Sequence, residues 1–225
     1  MSALHRDTRL VRQAPAPGDP YRPTSPPIHQ TATFALGPLD DPGPYDYTRS
    51  GNPTRDALEA ELVDLESGGR AFAVSSGMAA ISASLRLAGP GERVLVGRDL
   101  YGGTVRFLER LLAPRGVLVE AVDTRCLDRV RAALSRPARL LYLETPTNPL
   151  LETADLAGAA SLVREARRHG PRPLLVVDNT MLSPWLQNPL ALGADLVLHS
   201  ATKHLAGHGD VVAGAAITAP TAEGE

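Results

Sequence analysis

The sequence is short of several things, and each shortage excludes something. It holds one cysteine, Cys126, in 225 residues. That excludes an internal disulfide and fits a reducing cytoplasm. The N-terminus, Met1 to Asp19, lacks the apolar stretch of a secretory signal. Apolar runs such as Leu174–Val177 fall far short of the roughly 20 residues that span a bilayer. Charge of one sign is also missing. Twenty-three basic residues stand against 25 acidic ones, a net of −2. A dedicated nucleic-acid binder would show a basic excess. No G-x-G-x-x-G or G-x-x-x-x-G-K-[ST] run is present, so neither a Rossmann dinucleotide site nor a P-loop is expected.

Lysine is the sharpest shortage. Of the 23 basic residues, 22 are arginine and one is Lys203. Arginine stays protonated in proteins, whereas a lysine amine can lose its proton and attack a carbonyl. A lysine kept in a chain that otherwise uses arginine for charge is a candidate nucleophile. Chance survival on the surface is the bland alternative.

What is present is a sizeable core. The chain is 43% hydrophobic, and one this long buries roughly 70% of its unfolded surface. Residues 1–52 are rich in Pro and Gly, as in Ala14–Pro20, Pro26-Pro27 and Asp40–Pro44. Such a stretch forms no long helix. It is expected to be an extended N-terminal arm, with Ile28, Phe34, Tyr45 and Tyr47 as apolar anchors. Pro53 suits a helix first turn, and Leu58, Leu62 and Leu65 line one face of a helix stopped by Gly68-Gly69.

From there to residue 225 the pattern predicts an α/β domain. Strands are expected at Ala71–Val74, Arg93–Val96, Val117–Val122, Leu140–Leu143, Leu174–Val177 and Leu196–Leu198, with a seventh in Val211–Thr218. Helices are expected at Met78–Leu87, Thr104–Leu112, Leu127–Leu134 and Asp155–His169, with a short one near Leu190. Strands alternating with helices imply βαβ units and a mostly parallel sheet with helices on both faces. Ligands of such sheets sit beyond the C-terminal strand ends.

Three runs at those ends carry chemistry. Ser75-Ser-Gly-Met78 opens a helix, where N–H groups bind phosphate, and Gly77 permits close backbone approach. Asp178 closes the apolar run Leu174–Val177, either as a helix N-cap or as a fixed anion for a cationic ligand atom. His199-Ser-Ala-Thr-Lys203 places two hydroxyls beside the only lysine. Pyridoxal phosphate needs such a set: an amine for its aldehyde, an acid for its ring nitrogen, and donors for its phosphate. His204 and His208 lie four apart, but no carboxylate or cysteine set joins them, so no metal site is expected. A lysine-only aldolase would explain Lys203 but not Asp178, Ser200 and Thr202 as a set.

Six runs carry a resemblance. They are Tyr47–Arg55, Ser75–Ala79, Leu100–Thr104, Glu144–Pro149, Val177–Thr180 and His199–Val212. In order and spacing they resemble the cystathionine synthase and lyase family, the fold-type I, pyridoxal-phosphate-dependent enzymes of Cys/Met metabolism. The resemblance implies a mostly parallel seven-stranded sheet and assigns roles. Lys203 would bind the cofactor covalently and later move protons. Asp178 would pair with the ring nitrogen, Tyr101 would stack on the ring, and Asn148 would lie by its hydroxyl. Gly77, Met78, Ser200 and Thr202 would hold the phosphate. Tyr47 and Arg49 would reach the phosphate of a neighbouring subunit, implying a homo-oligomer, dimer or tetramer. The expected activity is cytoplasmic β- or γ-elimination on cystathionine or a related sulfur amino acid. The alternatives are γ-replacement by a cystathionine γ-synthase, or an inactive remnant. Gly103 disfavours a methionine γ-lyase, which typically has cysteine there. The family's C-terminal domain, with its arginine for the substrate carboxylate, has no counterpart before Glu225, so low turnover by these residues alone is expected.

Overall fold

The computed structural model describes residues 5–11, 20–166 and 171–220. The Ala14–Asp19 part of the Pro-rich run and the last residues of the helix expected to reach His169 lie outside them. The chain divides into two compact units, residues 1–65 and 66–225.

The first unit begins with a short helix, α1 (Arg6–Val11), which the sequence pattern did not predict. Residues 20–52 then run without helix or strand, apart from one antiparallel bridge between Thr33 and Tyr47. The segment folds back on the start of α2 (Pro53–Glu66). Asn52 accepts from the Thr54 N–H at 2.9 Å and donates to the His29 carbonyl at 3.1 Å. Tyr45 donates to Asp56 at 2.6 Å, and that bond pushes its phenol up to about 12. Two of the four expected anchors act as such, because the rings of Phe34 and Tyr45 pack 5.3 Å apart. Ile28 stands 82% exposed and Tyr47 39%, so neither is buried.

The second unit is built on seven strands: β1 (Arg70–Val74), β2 (Arg93–Gly97), β3 (Leu118–Val122), β4 (Leu140–Glu144), β5 (Leu174–Asp178), β6 (Leu196–His199) and β7 (Gly214–Thr218). Their order is β1-β7-β6-β5-β4-β2-β3. β2 to β6 pair in parallel, while β7 runs antiparallel to both β1 and β6. Every residue of β2 and β4 is buried, as strands covered on both faces must be. Helices α3 (Gly77–Leu85), α4 (Gly102–Phe107), α5 (Leu127–Leu134) and α6 (Leu156–Glu165) supply the cover.

Three expectations need correcting. The helix drawn over Thr104–Leu112 is α only to Phe107 and widens to a π-turn over Leu108–Leu112. The short helix expected near Leu190 lies instead at α7 (Ser183–Leu186), where Pro184 fills a first-turn position. Gly68-Gly69 does not supply the left-handed stop of α2. Ser67 takes that conformation, with φ 55°. Gly68 is glycine because a Cβ there would lie 2.4 Å from Ile217 Cγ2 on β7.

Candidate active site

The C-terminal ends of β1, β4, β5 and β6 border a cavity of about 790 Å³. Eight sequence-predicted residues line it: Gly77, Met78, Tyr101, Asn148, Asp178, Ser200, Thr202 and Lys203. Tyr47 and Arg49 are not among them. They belong to the first unit, where the Arg49 guanidinium lies 5.1 Å from the Tyr47 ring centre.

One end of the cavity is a helix start. Ser76 caps α3, its hydroxyl accepting from the Ala79 N–H at 3.1 Å. The first N–H groups of a helix have no intrahelical partner, so Gly77 and Met78 present donors with the helix dipole behind them. Ser200 approaches that start closely. A Cβ on Gly77 would sit 2.6 Å from Ser200 Cβ and 2.8 Å from its Oγ. Only glycine permits the contact. The Ser200 N–H donates to Thr180 Oγ1 at 2.8 Å. Thr202 is less free: its hydroxyl both donates to the Ala213 carbonyl at 3.1 Å and accepts from the Ala213 N–H at 3.0 Å.

Two carboxylates meet at adjacent strand ends, Glu144 on β4 in register with Asp178 on β5. Asp178 Oδ1 accepts from the Thr180 N–H and hydroxyl at 3.0 and 2.6 Å. Oδ2 accepts from Tyr142 at 3.3 Å. Asp178 does not cap α7, whose N-cap is Leu182 without a side-chain bond. It lines the cavity with its carboxyl group buried, 7% exposed. Burial, then the charges of Asp178 and Glu144, hold the Tyr142 phenol well above its ordinary range, so it stays a donor.

Glu144 is the residue that sequence reasoning passed over. Its Oε2 accepts from the Tyr101 N–H at 2.8 Å and its Oε1 from the Asn148 N–H at 2.9 Å. Burial raises its carboxyl to about 7, with the nearby charges of Asp178 and Asp99 adding and the two N–H bonds opposing. A group whose pKa is higher folded than unfolded favours the fold most below its unfolded value. That contribution is lost as pH rises towards 7. The signal was available, for Glu144 closes an apolar strand as Asp178 does.

Tyr101, 44% exposed, lies over Gly103. A Cβ there would stand 2.5 Å from Tyr101 Cε1 and 2.9 Å from Met78 Sδ. Lys203 follows Ser200 by one turn, its N–H donating to the Ser200 carbonyl at 3.0 Å. His204 lines the same cavity, while His208 is exposed, its Nδ1 2.9 Å from the Ala206 carbonyl.

The fold and cavity together define a class: an α/β domain with an open helix start, a buried carboxyl group and a lone lysine at neighbouring strand ends. The chain belongs to the family described as Cys/Met metabolism PLP-dependent enzyme, whose match covers residues 7–225. It is 47% identical over 196 residues to the chloroplastic cystathionine beta-lyase of Arabidopsis thaliana, covering 87% of this chain and 41% of that one. It is 45% identical over 199 residues to the cystathionine gamma-lyase of Bacillus subtilis, covering 88% and 51%. The solved cystathionine gamma synthase of Xanthomonas oryzae pv. oryzae matches with a TM-score of 0.88 at 39% identity, covering 99% of this chain and 56% of that one. The chain thus spans about half the length of the relatives it matches. The sheet is the fold-type I arrangement expected. The donor set fits pyridoxal 5'-phosphate, because the Gly77–Ser200 approach leaves a cradle that any side chain at residue 77 would fill.

Proposed function

We propose that this chain forms the cofactor-binding part of a carbon–sulfur lyase that acts on cystathionine or a related sulfur amino acid by β- or γ-elimination. The observation that supports it most is the convergence of Lys203, Asp178 and the Gly77–Ser200 cradle on one cavity. When bound, pyridoxal 5'-phosphate supplies an electron-withdrawing ring that stabilises negative charge at the substrate Cα. Gly77, Met78, Ser200 and Thr202 would hold the phosphate, and Thr202 would give up its bond to the Ala213 carbonyl to donate. Asp178 would hold a proton on the ring nitrogen. Tyr101 would cover the ring, and Asn148 would lie by its hydroxyl. Lys203 would hold the cofactor through its amine, and that amine, tethered at the cavity, would move a proton at the substrate Cα at high effective concentration. The likeness to a cystathionine gamma synthase supports γ-replacement as the second reading.

The chain works as a homo-oligomer in the cytoplasm, with Tyr47 and Arg49 reaching the phosphate held by a neighbouring copy. Among the described residues no helix is long and apolar enough to cross a membrane.

The test is to load the chain with pyridoxal 5'-phosphate, reduce with borohydride and map the peptides. A pyridoxyl adduct on Lys203 is the expected result, and saturated protein with none there rejects the reading. A second variant tests the cradle. Gly77→Ala is expected to weaken capture of pyridoxal 5'-phosphate by about tenfold or more. Capture of pyridoxal, which has no phosphate, should be unchanged. Equal losses for both ligands would take the phosphate away from Gly77.

A further inference from the structure

One carboxylate holds two of the loops that border the cavity. Glu144 sits at the end of β4, 6% exposed, and each of its oxygens accepts one backbone N–H. Tyr101 is held from the turn between β2 and α4, and Asn148 from the loop between β4 and α6. Asp99 reinforces the second loop, accepting from the Thr147 hydroxyl and from the Leu150 N–H at 3.1 Å. Neither Tyr101 nor Asn148 is fixed by burial, since both are exposed. Their backbone anchors therefore decide where their side chains stand.

We propose that Glu144 is a positioning residue which sets Tyr101 and Asn148 at the cofactor cavity by clamping both of their backbone amides, and that protonating it loosens the clamp. The proposal rests on the cofactor reading given above. A carboxylate can accept both N–H groups. A carboxylic acid turns one oxygen into a hydroxyl and loses acceptor strength at that side. The groups facing Glu144 favour a proton within the neutral range. They are Asp178 on β5 and Asp99 in the β2–α4 turn, which add to burial, while the neutral Tyr142 phenol on its own strand adds no charge. Opposing them are the two N–H donors, and Lys203 lines the same cavity. The carboxyl, raised to about 7, is charged and clamping above that pH and protonated below it. Tyr101 and Asn148 are therefore held more tightly on the alkaline side, in step with each other.

The amide proton and nitrogen shifts of Tyr101 and Asn148, followed by NMR against pH in the cofactor-free 225-residue chain, test the clamp without any ligand. Both are expected to titrate with one common midpoint near 7. In Glu144→Gln, which keeps the shape but offers one acceptor, that titration should vanish. The same variant should keep its pyridoxyl adduct on Lys203 but bind pyridoxal 5'-phosphate about tenfold more weakly. Its visible circular dichroism per bound cofactor should fall and lose its pH dependence, which a loss of stability alone would not produce. Amides that stay still through the neutral range, or a common titration that survives Glu144→Gln, overturn the proposal. A wild-type chain whose amides titrate but whose Lys203 takes no adduct keeps the clamp and rejects the cofactor reading instead.

Discussion

Lys203→Arg abolishes covalent capture of pyridoxal 5'-phosphate altogether. The variant keeps the positive charge and the neighbouring Ser200 and Thr202 hydroxyls, so phosphate contacts survive. What it loses is an amine that can be deprotonated, because a guanidinium stays charged at any pH a protein tolerates. No other lysine can substitute, since the sequence has none. Borohydride treatment of the variant should leave no pyridoxyl group on any peptide of residues 66–225. The visible band of bound cofactor should disappear, while weak, phosphate-dependent binding remains measurable by dialysis. A persistent band of wild-type strength would move the reactive amine to the chain's N-terminus and dissolve the argument from the single lysine.

The second large effect lies beneath the cavity. Glu66, at the end of α2, and His199, at the end of β6, are 0% and 1% exposed and joined by a 2.6 Å bond from Oε1 to Nε2. Glu66 also accepts from Asn179 at 3.2 Å and from Asn188 at 3.3 Å. His199 Nδ1 has no hydrogen bond among the described residues. Glu66→Ala thus takes the acceptor from a buried imidazole and removes one acceptor of the Asn179 amide, which keeps the Gln187 carbonyl at 2.8 Å. Leaving a buried polar group without its partner costs about 1–3 kcal/mol, a large part of the ~5–15 kcal/mol that holds a domain together. Urea unfolding monitored by far-ultraviolet circular dichroism should show the loss. Glu66→Gln, which retains an acceptor oxygen, should lose clearly less. A change below ~1 kcal/mol in Glu66→Ala would show that solvent reaches the pair. Asn179 adjoins Asp178, and His199 adjoins Ser200, so the loss should also lower cofactor affinity.

Local patterns were legible in the sequence, and distant ones were not. All seven strands lie within the apolar runs that announced them or within a residue of them, because a strand buried on both faces must be apolar throughout. The direction of β7 was not legible, since nothing in Gly214–Thr218 states which neighbours it will pair with. The left-handed residue after α2 was misplaced because glycine is the default for that conformation, whereas Gly68 answers to crowding by Ile217. Within the cavity, Lys203, Asp178 and Gly77 were found by chemistry at strand ends. Tyr101 and Asn148 came from resemblance alone. Glu144 was missed although it obeys the rule that found Asp178. The Glu66–His199 pair joins residues 133 apart, a separation at which residue type alone says nothing.

The reversed strand β7 dictates when the cavity can be completed as the chain is made. β7 pairs with β6 locally, yet its other neighbour, β1, lies up to 148 residues earlier, Arg70 facing Thr218. Until β7 inserts, β1 and β6 have nothing between them, and the start of α3 has no reason to meet Ser200. Contacts that close so long a loop form late. A ribosome adding about 5–20 residues per second thus delivers Gly77 many seconds before the residues that turn it into half of a phosphate cradle. The nascent chain holds an apolar β1 without a partner for that interval, and cofactor capture becomes a report that the last strand has arrived.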